Sequence, residues 1–368
     1  MRKNVKRAAV FTLYGEGNYG NKLQNYAVYV YLQKLGYKAV TQAPVQSRSM
    51  KAFLKRAFIC LLVNVLPFTL VQRIFAKKLP YWVRNVRFRH FTKEYIPTQT
   101  ADVTSSKKLQ ALAEDYDVFV TGSDQVWNPF FLENETDYNC MFLRFAPRKK
   151  RICFSPSIGV STIPQAWQEK FRQGFNGFEK LCVREQSAAD MIEELTGRRA
   201  DVLADPTLLL SAAEWEVIEK PIEQLQKPYV LQYFLGNQSD EMQKAMQAFW
   251  SDGAEAIDLM NPQSPYYCLC GPSEFLYLIR HAEMVCTDSF HACVFSILFH
   301  KPFMVFGRQD ENADMSARIT TLLQLFEADT SAVGTRVIQI PEKQVEAALA
   351  RERQKVRDFL SASLQQEI

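Results

Sequence analysis

A membrane-spanning run, a secretion signal and a complete metal-ligand pattern are all missing from this sequence. The most apolar stretch, residues 57–71 (AFICLLVNVLPFTLV), is broken by Asn64 and Pro67 and falls short of the roughly 20 residues that a bilayer demands. The N-terminal MRKNVKRAAVFTLY lacks the apolar core and cleavage site of a signal peptide, so a cytoplasmic location is expected. Eight cysteines are present, at 60, 140, 153, 182, 268, 270, 286 and 293, mostly inside apolar runs. Only Cys268 and Cys270 are close together, without the second half of a zinc spacing, which favours reduced buried thiols and no metal. The glycines at 15, 17 and 20 have G-x-G-x-x-G spacing, which alone is a weak signal, and no Walker lysine follows them; nicotinamide and P-loop chemistry are not expected. No internal repeat or low-complexity tract interrupts the chain.

What remains is an ordinary globular composition, 47% apolar and 23% charged over 368 residues, long enough for about two domains with their own cores. The net charge of +4 conceals an asymmetry. Between Arg48 and Lys93 stand eleven Lys or Arg and no acidic residue, so the rest of the chain carries 33 basic against 40 acidic residues, a net of −7. With aliphatics among the cations, residues 50–78 fit either peripheral contact with an anionic membrane surface or an amphipathic insertion packed on its own domain. They carry no nucleic-acid reader motif, and no nucleic-acid partner is expected.

A strand from Ala8 to Leu13 leads into Gly15, Gly17 and Gly20, then a helix from near Lys22 whose Leu23, Tyr26, Ala27 and Val30 repeat at helical spacing and which Gly36 ends. Strand, glycine loop, helix and strand in that order open a parallel sheet with right-handed crossovers. Further strands are predicted at Asp117–Thr121, Arg151–Ser155, Leu181–Arg184 and Asp201–Leu203. A second alternating series runs through Tyr229–Phe234, a helix at Ser273–His281, a strand at Met284–Thr287, a helix at His291–Phe299 and a strand at Pro302–Phe306. The expected fold is α/β, with two Rossmann-like domains and a cleft between them. Residues 1–215 form the first domain on the acceptor side, with a basic apolar insertion at 48–93. Residues 225–340 form the second on the donor side, and 341–368 a terminal helix that could pack back across the first.

Three loops carry chemistry. In Gly15 to Asn21, the spaced glycines let the backbone approach a ligand while the following helix offers N–H groups to an anion; a plain tight turn is the alternative. In Val120 to Pro129, Ser123, Asp124 and Trp127 bring hydroxyl, carboxylate and indole together as sugar sites do. Asp124 could take a proton from an attacking hydroxyl, or cap the turn that follows. In Thr287 to His291, a histidine in the first turn of an apolar helix can face a phosphate, and the helix dipole favours the same anion. A satisfied core histidine is the ordinary alternative, but Asp288 and Ser289 at a strand's carboxyl end favour function. Arg184 and Arg318 are candidates to grip a carboxylate or phosphate bidentately, whereas His90, His281 and His300 read as structural.

With GNYGNKLQNYAVYVYLQKLGY, VTGSDQVWNP, SPSIGVSTIP, VREQSAADMIEELTGRRADVLADPTLLL and AEMVCTDSFHACVFSILFHKPF in that order, the chain resembles the polysaccharide pyruvyl transferase family. Its members move the enolpyruvyl unit of phosphoenolpyruvate onto two sugar hydroxyls to form a ketal. The resemblance implies a fold similar to GT-B glycosyltransferases, phosphoenolpyruvate as co-substrate, no cofactor or metal, and a sugar acceptor, which the basic apolar segment hints is lipid-linked. It further implies that His291 and Arg184 hold the donor with Arg318 nearby, that His291 acts as acid or phosphate ligand and Asp124 as base or sugar ligand, and that Gly17, Asn18, Gly20 and Asn21 form a second wall. Ser289 stands where some relatives have Arg, and Ala292 where most have Gly. A nucleotide-sugar glycosyltransferase and a non-catalytic binding protein are the rival readings.

Overall fold

The computed structural model describes residues 5–44, 79–101, 106–222, 225, 228–247, 254–308 and 315–364. Strands β1 (Lys6–Phe11), β2 (Tyr37–Pro44), β3 (Thr98–Ala101), β4 (Val118–Thr121) and β5 (Arg151–Cys153) form one sheet in the order β3-β2-β1-β4-β5. Every pairing in it is parallel, Ala8 lying opposite both Ala39 and Val118. Helices α1 (Tyr19–Lys34), α2 (Leu79–Tyr95) and α3 (Ser106–Asp115) make the crossovers. Helices α4 (Glu135–Met141), α5 (Gln165–Asn176) and α6 (Gln186–Thr196) follow, and a two-stranded parallel ladder, β6 (Cys182–Val183) with β7 (Asp201–Val202), continues this half of the molecule.

The short helix α7 (Ala212–Glu216) leads to a second parallel sheet of β8 (Tyr229–Tyr233), β9 (Glu255–Asp258), β10 (Met284–Thr287) and β11 (Phe303–Val305), ordered β11-β10-β8-β9. Its helices are α8 (Asp240–Gln247), α9 (Pro265–Leu269), α10 (Pro272–His281), α11 (Phe290–Leu298) and α12 (Met315–Leu325). Two doubly wound, Rossmann-like sheets therefore stand in one chain, as the alternation of strand and helix patterns requires. Helix α13 (Glu342–Leu364) returns to the first half, where an Arg353 guanidinium nitrogen donates to the Leu210 carbonyl at 3.4 Å.

The halves meet through aromatic rings. Tyr19 at the start of α1 stacks on Phe275 of α10, centroids 4.5 Å apart with parallel planes, and its hydroxyl donates to the Cys270 carbonyl at 3.1 Å. Trp215 lies edge-on to Phe295 of α11 at 4.9 Å and tilted to Tyr26 of α1 at 5.5 Å. Burying large rings with offset or edge geometry contributes both area and specific orientation, so the starts of α1 and α11 are fixed relative to each other.

Residues 50–78, read above as a membrane-contact candidate, lie outside the described residues. Helix α2 takes up the last part of the basic stretch, and Arg84 there is not a solvated surface charge. It is 3% exposed, lies over the rings of Tyr19 at 4.9 Å and Tyr267 at 4.8 Å, and donates to the Gly17 carbonyl at 3.0 Å. Among the described residues, no helix is long and apolar enough to cross a membrane.

Candidate active site

The carboxyl ends of β1 and β4 and the entry to α11 converge on one buried polar centre. Asp205, fully buried in the Ala-Asp-Pro-Thr loop after β7, is its hub. One carboxylate oxygen accepts from the Thr207 N–H at 3.0 Å and the Thr207 hydroxyl at 2.7 Å. The other accepts from Arg184 Nη1 at 2.7 Å, has the Ser123 hydroxyl at 3.0 Å, and lies 3.7 Å from His291 Nε2. Burial raises the carboxyl's pKa, but His291 and Arg184 at its side more than offset that and hold it well below the ordinary carboxylate range. Asp205 was not among the residues singled out from sequence. An Asp-Pro-Thr triplet reads as a turn, and its side chain does cap the short helical turn that follows. Its second role depends on residues more than 20 positions away.

Arg184 is buried against three carboxylates. Its ion pairs run to Asp205 at 2.7 Å, Asp124 at 3.6 Å and the neighbouring Glu185 at 3.9 Å, and its guanidinium lies 4.4 Å from the centroid of the Phe290 ring. Among the described residues only Nη1 is hydrogen-bonded; Nε and Nη2, like His291 Nε2, have carboxylates within ion-pair range but make no hydrogen bond. Orphaned donors inside a protein are uncommon and call for an explanation. Arg318 on α12 is buried beside Arg184: desolvation, then the like charge of Arg184, lower it to about 10.

The predicted residues divide by what their polar atoms already do. Asp124 sits with a left-handed φ of 67°, a conformation that Asp tolerates better than most residues. Among the described residues its carboxylate makes no hydrogen bond to the following turn, whose contacts are to the Asp124 carbonyl from Val126 and Ser157. Its side chain therefore points to Arg184 and not into a cap. Glu185, missed from sequence, accepts from the Ser157 hydroxyl at 2.8 Å and the Ile158 N–H at 2.9 Å, holding the loop beside Asp124. Asp288 is committed. It accepts from the N–H groups of Leu235 and Gly236 at 2.8 and 2.7 Å and from Arg308 Nε at 3.0 Å, locking the β8 and β10 loops together. Ser289 is the N-cap of α11, but its side chain makes no capping bond, and Ala292 is fully buried one turn in.

Trp127 requires a correction, because it is not a sugar platform. It is fully buried, stacks on Phe142 at 5.4 Å, meets Phe175 and Phe178 edge-on, and donates from Nε1 to the Met141 carbonyl at 3.1 Å. The indole satisfies its one polar atom inside the core, which is what a buried tryptophan needs. Of the glycine loop, Gly17 (φ 96°) offers its carbonyl to Arg84, Asn18 caps α1 by accepting from the Asn21 N–H at 3.2 Å, and Asn21 accepts from the Gly15 N–H at 3.4 Å.

Gly20 is the loop residue pressed on the site. A Cβ there would stand 2.1 Å from His291 Nδ1 and 2.4 Å from Cγ. Gly20→Ala should therefore cost about 1–3 kcal/mol by overpacking and displace the imidazole. In a His291→Ala background the ring contacts are gone and only the residue 291 Cβ, 2.8 Å away, remains, so part of the cost is relieved and the two changes should be non-additive by thermal unfolding. Additive losses would mean that the ring moves aside freely.

Fold and centre together define a two-domain α/β protein with a charged site, carrying one histidine, closed between its halves. The family model of polysaccharide pyruvyl transferases matches residues 18–310, and the chain belongs to that family. Solved structures with which it aligns include the UDP-GlcNAc 2-epimerase of Neisseria meningitidis bound to UDP-GlcNAc, at 9% identity and a TM-score of 0.45 over 97% of this chain and 94% of that one. Anabaena Alr3699/HepE in complex with UDP and glucose aligns at 12% identity and a TM-score of 0.47 over 96% and 99%. No curated protein sequence matches the chain. Among the described residues, no group of three or more His, Cys, Asp or Glu is placed to hold a metal ion.

Proposed function

We propose that the protein transfers the pyruvyl unit of phosphoenolpyruvate onto two hydroxyls of a sugar in a cell-surface or exopolysaccharide precursor. The observation that carries this reading is the set of buried donors on Arg184 and His291 that make no hydrogen bond, with Arg318 alongside. A donor bearing a carboxylate and a phosphate ester on the same carbon needs neighbouring cations and a directed N–H, and two guanidiniums buried side by side are poised for such an anion. The α11 N-terminus, which no side chain caps, adds further N–H groups on the same side.

In the proposed chemistry C3 of the donor gains a proton while C2 becomes cation-like and bonds to one sugar hydroxyl. Inorganic phosphate then leaves C2, and the neighbouring hydroxyl bonds to C2 and closes the ketal, its proton going to the departing phosphate. His291 delivers the C3 proton or holds the phosphate, Arg184 and Arg318 hold the anionic groups, and Asp124, 3.6 Å from Arg184, takes the proton from an attacking hydroxyl. Asp205 orients Arg184 and His291 and does not itself react.

Incubation with phosphoenolpyruvate and a set of lipid-linked or nitrophenyl glycosides should yield a product with an added pyruvyl ketal by mass spectrometry, with one phosphate released per ketal. Titration calorimetry supplies the counter-test. Heat on adding nucleotide sugars and none with phosphoenolpyruvate would replace the pyruvyl reading by a glycosyl one.

A further inference from the structure

Beside the glycine loop, a cavity of about 340 Å³ is lined by Tyr14, Glu16, Lys22, Arg89, Thr92 and Lys93, among others. Lys22 in this lining is only 2% exposed, although it carries an ammonium group. Among the described residues that ammonium has no hydrogen bond or ion pair; its contact is with the face of the Tyr14 ring, 4.3 Å from the centroid. Glu16, the one carboxylate in the lining, is already engaged by Arg89, whose Nε lies 3.7 Å from it. The Thr92 hydroxyl donates to the Phe88 carbonyl at 3.0 Å, which leaves its lone pairs but no proton facing outward. Three cations against one shared carboxylate, with the innermost cation desolvated, make a positively charged recess.

From this we infer that the Lys22 recess is a second anion site, built to take a phosphate monoester or diester group on the acceptor side of the molecule. An isolated buried ammonium is costly unless something compensates it, and a phosphate oxygen entering over Tyr14 would supply the missing counter-charge. Burial lowers the Lys22 ammonium to about 8, with Glu16 pulling the other way, so the charged form still predominates at neutral pH and an arriving anion would stabilise it further. Lys22 stands two residues beyond Gly20, which touches His291. Residues two apart on a helix point to nearly opposite faces, so an anion held by Lys22 and one held at His291 occupy separate sites, and a sugar carried on the first would have to pass around α1 to reach the second. That the sugar joined to this phosphate is the pyruvyl acceptor rests on the function proposed above; the anion site does not.

Titration calorimetry on the full chain with inorganic phosphate, with glucose 1-phosphate and with vesicles containing phosphatidic acid tests the inference. Lys22→Met should weaken phosphate binding about tenfold or more, since a charge-assisted contact is lost, and Arg89→Gln should weaken it several-fold. Lys22→Met is expected to unfold no earlier than the wild type, because an unpaired buried charge is removed, and Arg89 is exposed enough that its change cannot unfold the chain. His291→Ala should leave this phosphate heat in place. Competition between glucose 1-phosphate and vesicles identifies a soluble glycosyl phosphate as the source, and vesicle binding alone identifies a lipid headgroup. Phosphate binding that is equal in Lys22→Met and wild type, or that vanishes with His291→Ala alone, would overturn the second site. Loss of phosphoenolpyruvate binding with the Lys22-dependent heat retained would sink the pyruvyl reading and leave the anion site standing.

Discussion

His291→Ala is expected to lower turnover by roughly 10²- to 10⁴-fold while the chain stays folded, the range that loss of one positioned acid or base produces. The histidine enters the centre from the first turn of α11, only 7% exposed, with Nδ1 turned to Gly20 and Nε2 held 3.7 Å from Asp205 without a hydrogen bond. Nothing in the core is propped by Nε2, so its removal opens a small void beside a glycine and leaves the aromatic contacts of Tyr19 and Trp215 in place. Phosphate release from phosphoenolpyruvate in the presence of acceptor measures the effect, with calorimetric unfolding as the control. His291→Gln separates the two roles. Glutamine still offers an N–H to a phosphate but carries no titratable proton, so near-recovery would mark His291 as a ligand and a loss equal to that of alanine would mark it as the acid. A folded alanine variant with wild-type turnover would exclude His291 from the reaction.

Much of the architecture is written in local patterns. Strand β10 is found at Met284–Thr287 as its apolar run indicates, and the α1 face of Leu23, Ala27 and the half-buried Tyr26 packs on the core. Element ends differ by a few residues, as at β1, which ends at Phe11 and not Leu13, because Thr12 turns its hydroxyl to the Ser123 carbonyl and leaves the ladder. The centre was legible where a polar residue follows an apolar strand, hence Asp124, Arg184 and His291. It was not legible where meaning depends on distant partners. Trp127 beside Ser123 and Asp124 looks like a sugar platform until Phe142, Phe175 and Phe178 close around it. Arg84 is one cation in a basic insertion by sequence, and its position among Tyr19 and Tyr267 follows from how α2 crosses the two halves.

Those distant partners also decide how the centre contributes to stability. Arg184→Met is expected to destabilise the protein by about 3–5 kcal/mol at neutral pH, the usual consequence of removing one member of a buried ion pair. The side chains of Arg184 and Asp205 are 1% and 0% exposed, so water cannot replace the lost charge, and Asp124 and Glu185 add their own repulsion. The pH dependence follows from Asp205, whose carboxyl burial raises but whose His291 and Arg184 neighbours bring well below the ordinary range. A carboxyl depressed on folding contributes stability that is present above its unfolded value, near pH ~4, and lost as the pH falls through the folded value. Without Arg184 the buried carboxylate becomes a liability that protonation relieves, so the gap between variant and wild type should be widest near neutrality and narrow on acidification. Unfolding scans at pH 7 and at mildly acidic pH measure this. Arg184→Met combined with Asp205→Asn removes both charges and should regain most of the stability but none of the turnover, because the donor's anion grip is still missing. Arg184→Lys keeps the charge without the fork, so it should fold well and bind phosphoenolpyruvate weakly. Equal stability of Arg184→Met and wild type at every pH would mean that the centre is hydrated and that its arginine serves binding alone.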